Sequence, residues 1–478
     1  MSSDVFYQAM LARDHRFDGK FFVGVKTTGI YCRPICPARP KRENVEFFTS
    51  APAAERAGYR PCLRCRPESA PLSAAWRGTS AVVNLALKTL ATQGLANTSF
   101  DQFAERFGLS GRHLRRLFVI ELGQSPKQIY AITRLNFARQ LIVETRLPMT
   151  TVALTSGFNS LRRFNDAFKK RFQRSPQNLR RNQSRSATKS EICLSLAYRP
   201  PLAWDALLAH FRNHQIAGIE SVEGDTYSRI FALDDVAGRF WVSPSRSKNK
   251  IALRVQTQNP AALFSVAQRV RQMFDLDSDP LLVANAFRAH PRLNALHSKT
   301  PGLRVARAWD PFESAVCTIL GQLVSMQFAR TLAGQLVHNY GQTLSDGTRL
   351  FPTAEQLAKS DLCKVKTTGN RRRAIRELSR RVACGELDLY TPQDPLDLRQ
   401  QLLQITGVGQ WSAEYIALRA LGDPDAFPAT DLVLKRALTS GKALNIEEFR
   451  PWRSYAAVYL WHEQLNRKGE NAKRHAHD

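Results

Sequence analysis

Four cysteines stand close together near the start of the chain. Cys32 and Cys36 have three residues between them, and after 25 more residues come Cys62 and Cys65 with two between them. Two short-spaced pairs bracketing a loop can bring four thiolates to the corners of a tetrahedron, the geometry of a closed structural zinc site. Zn2+ there would supply folding energy that a segment of this size lacks, because it holds too few apolar residues for a core of its own. Unligated thiols in a loop are the plain alternative, and spacing does not distinguish one sulfur from another. Far along the chain, Gly407, Val408 and Gly409 interrupt two helical stretches. Such a hairpin permits a tight turn and offers the N–H groups of the following helix to a phosphate. An ordinary helix-helix connection reads the same way. Asp431 lies 22 residues past Gly409, after the break Phe427, Pro428, Ala429, Thr430 and before the helical Leu432 to Ala437. Taken alone, a carboxylate there is a helix N-cap.

The elements that must carry these groups change character along the chain, and a length of 478 residues predicts about three to four domains. Breaks in composition place boundaries at residues 1–75, 80–182, 191–300 and 301–466. The expected fold class is multidomain: a small zinc domain built on four cysteines, an all-α double helix-turn-helix domain, an α/β domain and a second all-α domain. Gln183 to Ser190 is polar and basic and reads as a linker, and Arg467 to Asp478 reads as a disordered tail. In the second segment Ser99 followed by Gln102 forms a capping box opening a helix through Phe107. A turn at Gly108 to Ser110 leads into a helix over Gly111 to Ile120, with Leu114, Leu117 and Phe118 inward and Arg112, Arg115 and Arg116 outward. That is a helix-turn-helix with a basic recognition face. A second copy follows, with helices over Thr150 to Ser156 and Ser160 to Phe172 and with Leu161, Phe164, Phe168 and Phe172 inward. Pro126 to Glu144 is the joining helix. In the third segment Ile192 to Tyr198, Phe240 to Val242 and Lys250 to Val255 read as strands and Pro260 to Phe274 as helix.

Lys and Arg number 69 against 41 Asp and Glu, a formal charge of +28, which points to a polyanion: nucleic acid or an anionic membrane surface. From Arg162 to Arg185 nine basic residues, Arg163 among them, stand against one acid, Asp166. A solvated cationic face is the ordinary explanation of either basic helix, and two in tandem argue for DNA. No run of eighteen apolar residues predicts a membrane span, and Met1 to Leu11 lacks the pattern of a signal peptide, so an intracellular, cytoplasmic protein is expected. Eight cysteines in the chain are too few for a disulfide scaffold.

The residues also carry resemblances. Thr27 to Cys36, Arg42 to Val45 and Tyr59 to Cys65 closely resemble the zinc domain of the Ada family of adaptive-response regulators. This resemblance implies that Cys32, Cys36, Cys62 and Cys65 ligate zinc and that Cys32 also accepts a methyl group from a methylphosphotriester in DNA. Gly157 to Ser160, continuing through Phe164, Phe168, Lys169, Lys170, Phe172, Ser175 and Pro176, resembles the AraC-family DNA-binding domain, in which two such units enter adjacent major-groove segments. The outward Arg112, Arg115, Arg116, Arg162 and Arg163 suit phosphate or guanine alike. Leu320 to Ser325, the Gly407 to Tyr415 run, Asp431, and Pro451 to Tyr455 up to Trp461 resemble the helix-hairpin-helix DNA glycosylases of the 3-methyladenine glycosylase II (AlkA) type. Tyr198 to Pro201 and Tyr227 to Arg229 resemble the N-terminal domain of the same family.

That resemblance implies a catalytic carboxylate at Asp431, a flipped-base pocket at Trp411, Tyr415 and Trp461, an apolar wedge at Leu323, and a phosphate grip at Gly407 and Gly409. Read without it, the aromatics and Leu323 are equally core residues. Bifunctional members carry Lys two residues past the second hairpin glycine, where this chain has Trp411, so base excision without strand cleavage is expected. Cys193, Cys317, Cys363 and Cys384 are each followed by a residue other than His. The Pro-Cys-His-Arg acceptor of many Ada regulators is therefore missing, and repair of O6-methylguanine is not expected. The expected protein is a monofunctional glycosylase for alkylated bases, fused to a methylphosphotriester-sensing regulator, monomeric, with RNA polymerase as the target of activation. The alternative is a transcription activator whose glycosylase half only binds DNA.

Overall fold

The computed structural model describes residues 3–13, 21–48, 51–62, 65, 67, 82–83, 86–87, 89–90, 99–180, 191–233, 236–344, 347–390, 395–439 and 444–474. The chain divides into two compact units, residues 1–132 and 133–478.

In the first unit, helix α1 (Ser3–Leu11) precedes a four-stranded sheet of order β3-β1-β2-β4. The strands are β1 (Phe22–Val25), β2 (Ile30–Cys32), β3 (Val45–Phe48) and β4 (Arg60–Pro61), with helix α2 (Ala51–Arg56) before the last. β1 pairs antiparallel with β2 and β3, and β2 pairs parallel with β4. Alternation along β1 sends Val23 with Phe21 to one small core, with Ala9, Met10 and Val45, and Phe22 to another with Tyr31 and Ala54. Neither cluster is large enough to hold such a module alone. Farther along the chain come α3 (Phe100–Glu105) and α4 (Gly111–Leu122). The capping box forms as expected: Ser99 Oγ accepts from Gln102 N at 3.2 Å and Gln102 Oε1 accepts from Ser99 N at 2.9 Å. Leu114, Leu117 and Phe118 are buried with Phe103 and Val83. Helix α5 (Pro126–Glu144) has the expected bounds, and the division between the units falls within it.

The second unit opens with the C-terminal part of α5, then α6 (Met149–Thr155), α7 (Leu161–Phe172) and α8 (Pro176–Arg180). Phe164 and Phe168 are fully buried, but Leu161 is 38% exposed instead of inward. It is the first residue of α7, where Cβ tilts back past the helix end and no preceding turn lies beneath it. A five-stranded antiparallel sheet of order β5-β9-β8-β7-β6 follows: β5 (Glu191–Ala197), β6 (Glu220–Glu223), β7 (Thr226–Leu233), β8 (Val236–Pro244) and β9 (Lys250–Thr257). Helix α9 (Trp204–His214) lies between β5 and β6, and α10 (Leu263–Met273) follows β9.

The second helix-turn-helix and this sheet share one continuous core. Phe137 meets Phe264 edge-on at 5.0 Å, and Leu141, Phe164 and Phe168 belong to the same cluster as Leu194, Val255 and Val266. On the edge strand β5, the Ser195 N–H donates to Glu144 Oε2 at 2.8 Å and the Ser195 carbonyl accepts from Gln140 Nε2 at 2.9 Å, so α5 covers part of an otherwise open sheet edge. The expected linker at Gln183 to Ser190 lies outside the described residues. Phe137→Ala should cost about 3–5 kcal/mol, the range for truncating a buried ring. Urea unfolding followed by far-UV dichroism and by tryptophan fluorescence, to which Trp309 in the same core contributes, should shift together.

The remainder is helical: α11 (Pro280–Phe287), α12 (Pro291–Lys299), α13 (Pro311–Leu320), α14 (Met326–Tyr340), α15 (Ala354–Lys359), α16 (Gly369–Ala383), α17 (Pro395–Leu403), α18 (Gln410–Ile416), α19 (Leu432–Thr439) and α20 (Arg453–Arg474). Two cores organise it, one around α13, α14, α16 and α18 and one around α11, α19 and α20. Arg229 on β7, 3% exposed, pairs with Glu220 and with Glu313 of α13, tying the sheet to the helices. Helix α20 runs through Arg474, well into the stretch expected to be a disordered tail. Its final turns hold Arg, Lys, Glu and Ala, good helix formers, beside the poorer Gly469 and Asn471, and extending a nucleated helix costs little. No described helix is long and apolar enough to cross a membrane.

Candidate functional site

The small sheet gathers the four cysteines. Cys32 ends β2, its register partner Val23 holds it in the sheet, and Cys62 N donates to the Tyr31 carbonyl at 3.0 Å just past β4. Cys36 closes a turn by donating its N–H to the Arg33 carbonyl at 3.0 Å. The four sulfurs lie within 4.8 Å of one another. A tetrahedron with metal–sulfur bonds of about 2.3 Å needs sulfurs about 3.8 Å apart, so the donor set fits Zn2+ with a small contraction. Hydrogen bonding with Cys36 pushes the Cys32 thiol up, while the same contact holds the Cys36 thiol well down. One thiolate thus opposes the next, and a cation is what allows all four to be charged together. The Arg33 N–H donates to Cys65 Sγ at 3.4 Å. Cys32 is 5% exposed and Cys62 is half-buried, so accessibility does not single out Cys32.

Arg112, Arg115 and Arg116 of α4 and Arg162 and Arg163 of α7 are exposed. Arg115 is partly engaged inside the protein, its guanidinium 4.5 Å from the Phe100 ring centroid and 4.0 Å from Asp101. Arg134 lies on α5, outside any motif. It donates to the Ser156 carbonyl at 2.6 Å and covers the Phe158 ring at 4.5 Å, locking the turn before α7. Gly157 has φ +75°, and a Cβ there would lie 2.8 Å from that guanidinium.

The third constellation lies in the second unit. At Gly407 the backbone has φ +96°, and an added Cβ would lie 3.3 Å from Ala374, so the hairpin is open only to glycine. Gly409 is the N-cap of α18 and no side chain caps that helix, which leaves its first N–H groups for an anion. Asp431 precedes α19 and is a helix cap, as its position alone suggested: Oδ1 accepts from Val433 N and Leu434 N, each at 3.0 Å. It is more than a cap. Trp461 Nε1 donates to Oδ1 at 3.1 Å and Trp411 Nε1 donates to Oδ2 at 3.0 Å. Two indoles from α18 and α20 therefore fix the plane of one carboxylate, and Oδ2 keeps the greater acceptor capacity.

The Trp411 and Tyr415 rings are stacked at 5.1 Å with 19° between planes, and Trp461 meets Tyr415 edge-on at 6.1 Å. All are half-buried, so these aromatics are not closed core. Arg419, in a π-helical turn (Ala417–Leu421), is buried 5.6 Å from the Tyr415 ring and 5.4 Å from the Trp461 ring. From α9, His214 Nδ1 is 2.8 Å from the His210 carbonyl and must carry the proton. Its Nε2 therefore accepts from the Tyr415 hydroxyl at 3.4 Å. No motif in the α/β segment pointed to this contact. The loop leading to Asp431 is braced by Ser454, whose hydroxyl contacts the Asp423 and Ala426 carbonyls at 2.6 and 2.7 Å, and by Glu414 Oε2, which accepts from Phe427 N at 3.1 Å. Leu323 is 97% exposed with φ +52°, in the turn between α13 and α14, and so is not helix core.

Three family models match the chain: the metal-binding domain of Ada over residues 5–68, a helix-turn-helix domain over 103–182, and the AlkA N-terminal domain over 193–310. The probable bifunctional transcriptional activator/DNA repair enzyme AlkA of Mycobacterium tuberculosis is 37% identical over 473 residues, covering 95% of each chain. DNA-3-methyladenine glycosylase 2 of Escherichia coli is 28% identical over 56% of this chain and 97% of its own length. The bifunctional transcriptional activator/DNA repair enzyme Ada of Escherichia coli is 36% identical over 33% of this chain and 43% of its own.

Proposed function

The chain belongs to the family of bifunctional transcriptional activator/DNA repair enzymes of the AlkA type, and from that premise we propose how its residues divide the work. It joins a 3-methyladenine-type DNA glycosylase to an Ada-type methyl-acceptor domain that binds Zn2+ and to a DNA-binding regulator. The domain limits that fit this division are 1–75, 80–182, 191–300 and 301–466.

In the glycosylase, Asp431 is the catalytic carboxylate. When the bond between sugar C1′ and base nitrogen breaks, the electron pair leaves with the base and positive charge develops on the sugar, where Asp431 Oδ2 stabilises it and water then adds. Trp411, Tyr415 and Trp461 hold the flipped base. Purines alkylated at N3 or N7 are cationic, and π-faces favour them over neutral bases by about 0.5–2 kcal/mol. Leu323 fills the vacated stack, and Gly407 and Gly409 grip a phosphate beside it. The observation that carries this reading is the carboxylate of Asp431 held by both pocket indoles. Excision from methylated DNA by wild type and Asp431→Asn tests it. Excision should leave an abasic site without a nick, because Trp411 stands where a Schiff-base lysine would be. A nicked product formed without heat or alkali would overturn that.

In the zinc domain, bound Zn2+ keeps the four sulfurs as thiolates near neutral pH. The Cys32 thiolate attacks the methyl carbon of a phosphotriester: an S–C bond forms, the C–O bond breaks, and the phosphate departs as a diester anion. The exposed Arg112, Arg116, Arg162 and Arg163 contact promoter DNA, with Arg115 sharing its charge between DNA and Asp101. Operator affinity should therefore fall steeply with salt. Arg163→Ala should reduce the slope of log K against log salt by about 1 if that arginine meets a phosphate. The protein works as a cytoplasmic monomer with RNA polymerase as its target. Sedimentation at working concentration and transcription in vitro check these two points.

A further inference from the structure

The wedge, the phosphate hairpin and the base pocket are three separate pieces of chain, and one side chain joins them. Gln322, immediately before Leu323, donates through Nε2 to the Gly407 carbonyl at 2.9 Å and to Ser412 Oγ at 2.8 Å. Gly407 belongs to the hairpin, and Ser412 is the neighbour of Trp411 in the first turn of α18. From the other side Arg371, near the start of α16, donates through Nη2 to the Gln322 carbonyl. The peptide that leads into Leu323 is thus held at both its side chain and its main chain.

This matters because of the conformation it supports. Leu323 has a left-handed backbone and a side chain 97% exposed, and a non-glycine residue in that region persists only where its surroundings over-determine it. An apolar side chain that meets almost nothing of its own protein has no packing to aim it. Its direction is set by the neighbouring peptide, and that peptide is set by Gln322 and Arg371.

We propose that Gln322 and Arg371 are positioning residues for base flipping, which hold Leu323 at a fixed distance from the phosphate grip and from Trp411, so that seating the backbone phosphate drives the wedge into the base stack. The inference rests on the glycosylase reading of Leu323 and Asp431 given above. Gln322→Glu keeps the size of the side chain and removes the donor, and Arg371→Ala removes the clamp on the carbonyl. Each should lower single-turnover excision and the fluorescence of a flipped 2-aminopurine in protein-saturated DNA by about tenfold to a hundredfold, the cost of misplacing a reacting group by about 1 Å. Melting temperature should fall by no more than about a few degrees, the worth of one or two hydrogen bonds, and Arg371→Lys should restore part of the lost excision.

The deciding measurement is a double-mutant cycle with Leu323→Ala. If both residues act through Leu323, adding either substitution to Leu323→Ala costs almost nothing further. Full additivity, or single variants with wild-type flipping, overturns the positioning role while leaving the wedge in place. A silent Leu323→Ala in a protein that still depends on Asp431 removes the wedge itself, and the positioning role with it.

Discussion

Asp431→Asn should lower excision of alkylated purines by about a hundredfold to a thousandfold, the loss typical of removing one preorganised electrostatic group from a transition state. The substitution is close to isosteric, which makes the result interpretable. An asparagine oxygen in the Oδ1 position still accepts from Val433 N and Leu434 N, so α19 keeps its cap. What changes lies on the other side: an amide nitrogen replaces Oδ2, faces the Trp411 N–H that formerly donated to it, and offers no negative charge to the sugar. Stability should fall by about 1 kcal/mol, the worth of one hydrogen bond. Asp431→Ala would add loss of the cap, about 1 kcal/mol more, without changing the catalytic conclusion. Wild-type excision by Asp431→Asn under single-turnover conditions would sink the mechanism, because no stability effect could be hiding a loss.

The second large effect concerns the thiols. After reaction with DNA carrying a methylphosphotriester, mass spectrometry of the digested protein should find one methyl group, on Cys32, and Cys32→Ala should accept none. The outcome is informative because Cys62 is the least buried of the four clustered cysteines, so methyl on Cys62 would displace the assignment. Methylation turns a four-thiolate zinc site of net charge −2 into one of −1. At about 4 Å from a phosphate in water, one charge less is worth about 1 kcal/mol, or about fivefold in operator affinity, and more where solvent is excluded. Equal affinity before and after methylation would separate the chemistry from the switch. Chelation should have a structural consequence as well. The two clusters around Phe22 and Val23 are small, so removing Zn2+ should unfold the module, seen as loss of near-UV dichroism.

Much of this was legible in the sequence because it is local. The capping box at Ser99 and Gln102, the extent of Pro126 to Glu144, the inward Leu114, Leu117, Phe118, Phe164 and Phe168, and the two pairs of cysteines are set by spacing along a helix or across a turn. The departures are where a local rule met a boundary. Leu161 has the right spacing to face inward but sits at a helix end with nothing beneath it. The final residues have a tail's polarity but continue a helix already nucleated. Arg115 faces outward as its spacing requires, and it also lies against Asp101 and Phe100.

Residue types and their spacing name the groups available: four thiols, one carboxylate between a break and a helix, three aromatics, a glycine hairpin and a surplus of positive charge. What those groups do to one another comes from the packing of distant elements. That both indoles donate to Asp431, that His214 of α9 accepts from Tyr415, that Gln322 beside Leu323 bonds to the hairpin at Gly407, and that the second helix-turn-helix shares its core with the sheet are contacts between residues 20 to 201 positions apart. Hydrogen bonds and van der Waals contacts act over a few ångströms in space and carry no periodic signature along the chain. Spacing can therefore name the participants of a site, and packing alone arranges them.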